Sequence, residues 1–91
     1  MEWTWDPRKA ATNLADHGVL FETAVDALDD PFQLSLPDPH DDDDRWRTIA
    51  RIDDRTLFIV HTIFEEDGTG RIISARLATP RERKAYEKQF H

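Results

Sequence analysis

Apolar residues recur along the chain with two different periods, and these periods predict its secondary structure. One stripe with helical spacing predicts an amphipathic helix over residues 20–28. The members of that stripe are Phe21, Ala24, Val25 and Leu28. A preceding helix is predicted over residues 7–17. Asp6 is a suitable N-cap for it, Pro7 fits its first position, and Gly18 suits its C-terminal end.

Other apolar segments have the two-residue period or the length of β-strands, and a last helix follows them. The predicted strands are residues 2–5, 32–36, 45–52, 57–64 and 71–78. Thr79 can cap the final helix, Pro80 fits its first position, and Glu82 completes a capping box. We therefore predict a single α+β domain over residues 1–91, with a short N-terminal strand, two helices, a four-stranded antiparallel sheet and a C-terminal helix.

Composition narrows the class of protein without changing this fold. Apolar residues make up 38% of the chain and cysteine is absent, which excludes disulfides and thiolate metal sites. No apolar run approaches the ~20 residues of a membrane-spanning helix, and the N-terminus lacks the features of a signal peptide. We therefore expect a small cytoplasmic protein without a membrane partner.

The formal net charge of −7 is unevenly distributed along the chain. Residues 1–44 hold 2 basic and 12 acidic residues, whereas residues 45–91 hold 10 basic and 7 acidic residues. Long-range attraction to a nucleic acid is therefore unfavourable, and any such binding must rest on a local basic surface. The acidic N-terminal half is equally consistent with a basic protein partner.

Arg76 interrupts the last apolar strand and is the main clue to function. A guanidinium in a strand of this kind must reach a partner, the solvent or an anion, because an unpaired buried charge is costly. The helix that follows carries further cations, at Arg81, Arg83, Lys84 and Lys88. Two interpretations are open: Arg76 binds a nucleic-acid phosphate, or it pairs with Glu82 or Glu87 where the sheet meets the helix.

Short motifs along nearly the whole chain resemble the BrnT toxins. In the N-terminal half these are Trp5-Asp6-Pro7, Lys9, Asn13, His17-Gly18-Val19, Phe21, Ala24 and Asp30-Pro31. In the remainder they are Arg45-Trp46, Thr48-Ile49, Val60-His61-Thr62, the segment 71–76, Ala78, Glu82 and Tyr86. The strand and helix at the end of the chain are the most specific part of the resemblance.

The resemblance implies a RelE-like fold and the toxin of a bacterial type II toxin–antitoxin pair. Such toxins cleave RNA without a metal or other cofactor and so block translation. The implied partner is a cognate BrnA-like antitoxin with a ribbon-helix-helix domain, which would make the contact with DNA. Three residues depart from the family pattern: Asp16, Ala50 and Ile63. Asp16 and Ile63 each remove possible positive charge near RNA.

Metal-free RNA cleavage needs a base, an acid and cations that stabilise the charged phosphorane. Arg76 and Arg45 are the predicted phosphate clamp, because arginine matches phosphate bidentately and stays charged. Further RNA contacts are predicted at Arg71, Arg81, Arg47 and Lys84. The remaining catalytic candidates are His17, Tyr86 and Lys9.

Several of these candidates also have a structural interpretation. His17, at the end of a helix, would interact favourably with the helix dipole. Tyr86 could be a core aromatic residue, and Lys9 could simply be solvated. For His61, in the middle of a strand, a hydrogen-bonded core position is favoured over a catalytic role. The sequence does not separate acid from base among them.

Aromatic and acidic residues suggest two further kinds of site, neither of which is favoured. Trp3, Trp5 and Trp46 could stack on bases. Trp46 is the best candidate because arginines flank it, but packing is favoured for all three. The acidic segment 37–44 lacks the ligand spacing of a calcium-binding loop, so we predict a solvated charge run and no metal site.

The leading hypothesis is a metal-independent endoribonuclease toxin. The alternative is a catalytically weak or inactive toxin-like module, which binds a protein partner and acts in transcriptional autoregulation through it. Direct DNA binding by the last helix is disfavoured by the net charge and by the absence of a helix-turn-helix pattern.

Overall fold

The protein is described here by a computed structural model, which covers residues 2–38, 45–62 and 68–90. Its elements are β1 (Glu2–Thr4), α1 (Pro7–His17), α2 (Phe21–Ala27), β2 (Leu34–Pro37), β3 (Arg45–Ile52), β4 (Arg55–Thr62), β5 (Thr69–Leu77) and α3 (Pro80–Glu87), then a short 3-10 turn at Lys88–Phe90. None of the helices in these ranges is long and apolar enough to cross a membrane.

The strands form one five-stranded mixed sheet in the order β1-β5-β4-β3-β2. Strands β2 to β5 pair antiparallel with their neighbours, whereas β1 pairs parallel with β5 at the edge. The predicted α+β class is confirmed, but the predicted four-stranded sheet was incomplete. Periodicity predicts that β1 is a strand but does not say which strand it pairs with. Its partner, β5, lies more than sixty residues away along the chain.

The two N-caps predicted from the sequence, at α1 and α3, are both present. The Asp6 carboxylate accepts a hydrogen bond from the Arg8 backbone N–H, and Gly18 ends α1 with φ of 68°. At α3 the Thr79 hydroxyl accepts from the Glu82 N–H, and the Glu82 carboxylate accepts from the Thr79 N–H. These reciprocal bonds satisfy backbone donors that the first helical turn leaves free.

The turn between β3 and β4 is shorter than predicted, which moves the start of β4 to Arg55. Ile52 pairs with Arg55, so only two residues connect the strands. Asp53 adopts a φ of 54°, the left-handed conformation that tight hairpin turns require and that aspartate tolerates. A further boundary differs at β2, because Phe32 precedes the strand instead of opening it.

The main core lies between α2 and one face of the sheet. Three members of the predicted stripe, Phe21, Ala24 and Leu28, are buried there, and Val25 packs partly against them. The sheet contributes Ala50, Leu57, Ile59, Ile72 and Ala75. Because side chains alternate along a strand, the residues between these positions face the other side. α3 packs on that second face and contacts β3.

Candidate functional site

Several predicted cationic residues meet on the second face of the sheet. Strand register pairs Arg45 with Thr62, Arg47 with Val60, and Arg76 with Phe58. Paired residues of antiparallel strands share a face, as do alternate residues of one strand. Arg71 joins this group, because it precedes Ile72, whose side chain is in the core on the first face of the sheet. We call the surface formed by Arg45, Arg47, Arg71 and Arg76 the arginine platform.

Strand geometry sets the dimensions of the arginine platform. Arg45 and Arg47 are separated by two residues of β3, which corresponds to about 7 Å along the strand. Arg76 lies two strands away on β5, about 10 Å across the sheet, and the register through Phe58 sets it level with Ile49 of β3. Its backbone is therefore about 12 Å from that of Arg47 and about 17 Å from that of Arg45. Adjacent members such as Arg45 and Arg47 can contact one phosphate, whereas Arg45 and Arg76, the predicted clamp, are far enough apart to contact different phosphates of one strand.

Arg76 is held in place by Glu82 of α3. Its Nη1 and Nη2 donate to the two carboxylate oxygens at 2.8 Å and 2.9 Å. The guanidinium also lies over the Phe58 ring, 4.2 Å from the centroid. The hydrogen bonds from Arg76 lower the pKa of Glu82 below its ordinary value, and Glu82 raises the pKa of Arg76. The ion-pair interpretation of Arg76 is therefore realised.

The pair with Glu82 does not occupy the whole guanidinium of Arg76. It uses one edge of the planar group, and Nη1 makes a further bond to the Leu77 carbonyl at 3.2 Å. No acceptor in the described part of the chain binds its Nε–H, which lies on another edge. Arg76 is thus oriented by Glu82 and still has a donor for a phosphate.

Arg47 and Arg81 line a cleft between α3 and strands β2 and β3, with a volume of about 180 Å³. We call it the α3 cleft. The Nε–H of Arg47 is buried and has no hydrogen-bond partner among the residues that the structure describes. Lys84 and Arg81 border a second depression along α3, which Ala85 also lines. The helix therefore adds cations beside the arginine platform.

Tyr86 is buried, with 2% of its surface exposed, and its hydroxyl donates to the Asp30 carboxylate. Burial and the neighbouring Asp30 raise the pKa of Tyr86 to about 12. Burial alone would raise the pKa of Asp30, but the hydrogen bonds from Tyr86 and from the Arg51 and Phe32 N–H groups outweigh it and hold the pKa below its ordinary value. This geometry favours the core-aromatic interpretation of Tyr86.

Lys9 and His17 lie together at a different place, in a groove of about 270 Å³ along α1. The groove is bounded by Ile73, where β5 carries an irregularity opposite β4. Arg8 also lines it and was not among the predicted site residues, although it adjoins Lys9. Asp16, one of the departures from the BrnT pattern, borders the same groove.

Comparison with known proteins identifies the family. The model of the family described as "Ribonuclease toxin, BrnT, of type II toxin-antitoxin system" matches residues 5–82. The chain belongs to the BrnT family. The crystal structure of the Brucella abortus ribonuclease toxin BrnT has 23% sequence identity and a TM-score of 0.68, covering 87% of this chain and 97% of that one. That similarity supports the fold. No curated protein sequence matches the chain.

The BrnT family match contains every residue of the arginine platform, as well as Arg81, Lys9 and His17, but it ends before Lys84 and Tyr86. The predicted site residues therefore fall into three groups in this BrnT protein. One lies on the arginine platform and the adjoining part of α3, one lies in the α1 groove, and Tyr86 is buried.

His61 is a core residue of this BrnT chain, as predicted. Its Nδ1–H donates to the Thr62 carbonyl at 2.8 Å, which leaves Nε2 of the neutral ring to accept from the Thr48 hydroxyl at 2.6 Å. Burial lowers the pKa of His61, although the bond to Thr62 opposes this. Trp3 packs edge-on against the ring.

The other aromatic and acidic candidates do not add to the platform. Trp3 and Trp5 pack against the core, and Trp46 pairs with His61 on the face opposite Arg45. Within residues 2–38, 45–62 and 68–90, no group of three or more metal-binding side chains is present. Most of the predicted acidic charge run, residues 39–44, lies outside the described residues, as does Ile63.

Replacement of Tyr86 by phenylalanine should lower stability and leave RNA cleavage nearly unchanged. The variant keeps the packed ring but removes the donor to Asp30, which should cost about 1–2 kcal/mol of unfolding free energy. Urea unfolding and the initial rate of RNA cleavage measure the two quantities. A loss of cleavage of about 100-fold in a folded variant would instead show that the hydroxyl takes part in catalysis.

Proposed function

We propose that this BrnT protein is a metal-independent endoribonuclease that binds RNA on the arginine platform. In this proposal it acts in the cytoplasm, as a RelE-like toxin that inhibits translation. The observation that carries the proposal is the presence of Arg45, Arg47, Arg71 and Arg76 on one face of the sheet. One of them, Arg76, is already positioned by Glu82, and its Nε–H makes no bond to the described part of the chain.

The reaction that such a surface supports is attack by a ribose 2′-hydroxyl on the neighbouring phosphorus. The P–O5′ bond breaks, and the products carry a 2′,3′-cyclic phosphate and a 5′-hydroxyl. Guanidinium groups stabilise the extra negative charge that develops on the phosphorane, and they hold the phosphate in line for attack. Both effects need fixed cations and no metal ion.

In this proposal, proton transfer falls to residues outside the arginine platform. The described residues of the arginine platform include no side chain that ordinarily titrates near neutral pH. Lys9 and His17 are the candidates, because the α1 groove that they line reaches β5 at Ile73. The next residue, Ser74, pairs with Val60 and lies on the same face of the sheet as the arginine platform. Histidine suits both acid and base roles near neutral pH.

RNA cleavage by the purified protein should be insensitive to removal of divalent cations. We expect initial rates with millimolar EDTA and with magnesium to agree within about twofold, since the guanidinium groups supply the charge stabilisation. Mass spectrometry of the products should find 2′,3′-cyclic phosphate and 5′-hydroxyl ends. Loss of cleavage in EDTA and its recovery on addition of magnesium would contradict metal independence.

The partner proposed for this toxin is a cognate BrnA-like antitoxin with a ribbon-helix-helix domain. Membership of the BrnT family, described as toxins of type II toxin–antitoxin systems, supports an antitoxin partner. The acidic N-terminal half of the chain suits a basic partner surface. DNA would then be contacted by the antitoxin, and the toxin would affect transcription only through it.

A binding module without strong nuclease activity is the second candidate. Two observations favour it: Glu82 already neutralises Arg76, and Asp16 places a negative charge beside Lys9 and His17. Such a module would be tolerated when expressed without an antitoxin, whereas a nuclease would stop growth.

A further inference from the structure

The α3 cleft combines apolar walls with cations. Its walls come from Leu34, Leu36, Ile49, Phe58 and Ala85. Arg47 and Arg81 add guanidinium groups. The volume of about 180 Å³ suits one small ring system and is too small for a stacked pair. Clefts with mainly apolar walls and a few polar groups are the usual form of small-ligand sites.

Arg47 gives the α3 cleft an unmet requirement for a hydrogen-bond acceptor. Arg47 lines the cleft, and no acceptor in the described ranges binds its guanidinium. A guanidinium that lines a cleft with unused donors can bind an acceptor on a partner molecule that occupies that cleft. That partner must present an acceptor to Arg47 and apolar surface to the walls.

These two requirements select among possible occupants. An aliphatic side chain of a protein partner would fill the walls but leave the Arg47 donor without an acceptor. A phosphate group would satisfy the donor but leave the apolar walls in contact with water. A nucleobase meets both requirements, since it has flat apolar faces and acceptor atoms along its edge. The guanidinium of Arg81 can also stack on such a ring.

We propose that the α3 cleft binds a single unstacked nucleobase of the RNA whose phosphates lie on the arginine platform. This inference rests on the proposed function and adds a base-reading site to it. The two surfaces are continuous, because Arg47 belongs to both and Phe58 lies beneath the Arg76 guanidinium. A base that flanks a phosphate on the platform therefore has the cleft within reach.

Substitution of Ala85 by leucine fills the α3 cleft and leaves the helix intact. Ala85 is exposed on α3, and leucine is a good helix former. Ala15→Leu is the matched control, because Ala15 is also exposed on a helix and lines none of the clefts described above. Circular dichroism of both variants checks that the fold is retained.

Two single-stranded ligands of equal charge separate base binding from phosphate binding. One is a heptamer of fully 2′-O-methylated RNA, which cannot be cleaved, and the other is an abasic heptamer with the same number of phosphates. The wild type should bind the base-bearing heptamer about tenfold more tightly by fluorescence anisotropy. Ala85→Leu should reduce that ratio to about twofold or less, whereas Ala15→Leu should preserve it.

Each other outcome overturns the inference and treats the proposed function differently. Equal binding of both heptamers by the wild type would exclude a base site and leave the arginine platform as a phosphate surface. A preference that persists in Ala85→Leu would place base recognition elsewhere and leave the cleft to another occupant. If the wild type bound neither heptamer, the result would contradict RNA binding on the arginine platform and therefore also base binding in the α3 cleft.

Discussion

Replacement of Arg76 by alanine should abolish growth arrest and RNA decay in bacteria that lack the antitoxin. The variant loses the guanidinium that Glu82 orients toward the arginine platform, and with it a charge that stabilises the phosphorane. Loss of one such donor typically costs a factor of about 10²–10³ in rate. Growth and total RNA, followed together at matched soluble protein levels, measure the effect in cells.

Two further variants show whether the loss is specific to the arginine platform. Arg55→Ala removes the same charge from an exposed residue outside the platform, and it should retain growth arrest. Arg76→Lys keeps the charge but cannot make the two parallel hydrogen bonds to Glu82. We therefore expect it to cause more growth arrest than Arg76→Ala but less than the wild type. Undiminished RNA decay in Arg76→Ala would remove this residue from the proposed site.

The same experiment distinguishes the nuclease from the binding module. Normal growth and intact RNA with the wild-type protein would favour the module, since binding alone should be tolerated. Arrest that depends on Arg76 would favour the nuclease. The ion pair with Glu82 does not by itself decide between them. It fixes the position of the guanidinium, as a preorganised phosphate clamp needs, while it also neutralises part of the charge.

Local signals in the sequence predicted the helix ends well. Asp6, Gly18 and Thr79 form capping hydrogen bonds with backbone groups only a few residues away, so their roles follow from the neighbouring sequence alone. The alternation of Arg45, Trp46 and Arg47 is also a local signal, and in the structure it places the tryptophan opposite the two arginines, but it was not used to predict a shared arginine face. The pairing of β1 with β5 has no local signal, and the sequence analysis therefore missed it.

The position of Tyr86 could not be decided from the sequence for a related reason. Helical periodicity places it on one side of α3, but it does not say which surface that side meets. The answer depends on Asp30, which is 56 residues earlier and reaches Tyr86 only after the sheet has formed. Lys9 and His17 present the same problem, because their common groove exists only where α1 meets Ile73.

Substitution of Asn13 by alanine should be the most destabilising single change considered, because its amide closes the edge of β5. The side chain is 6% exposed. Its Nδ2 donates to the Val19 carbonyl at 3.0 Å and to the Ala75 carbonyl at 2.8 Å, and its Oδ1 accepts from the Ala75 N–H at 3.0 Å. β1 pairs only with residues 69–71 of β5, so the Asn13 amide provides hydrogen bonds to the edge of β5 beyond the end of β1.

Alanine at position 13 leaves those three backbone groups without partners, so we expect a loss of about 3 kcal/mol in unfolding free energy. For a domain of this size the melting temperature should fall by roughly 12–24 °C. Thr12→Ala, an exposed change on the same helix, should alter stability by about 0.5 kcal/mol or less. If Asn13→Ala lowered the unfolding free energy by as little as that, water molecules would be replacing the hydrogen bonds of the Asn13 amide.

Asn13→Asp tests whether the amide donors, and not only the side-chain volume, stabilise the edge of β5. The carboxylate keeps the shape and the acceptor for the Ala75 N–H, but its second oxygen would face the Ala75 and Val19 carbonyls in place of a donor. We therefore expect Asn13→Asp to unfold at least as readily as Asn13→Ala near neutral pH. Because Ala75 directly precedes Arg76, this amide also supports the strand segment that presents the proposed clamp.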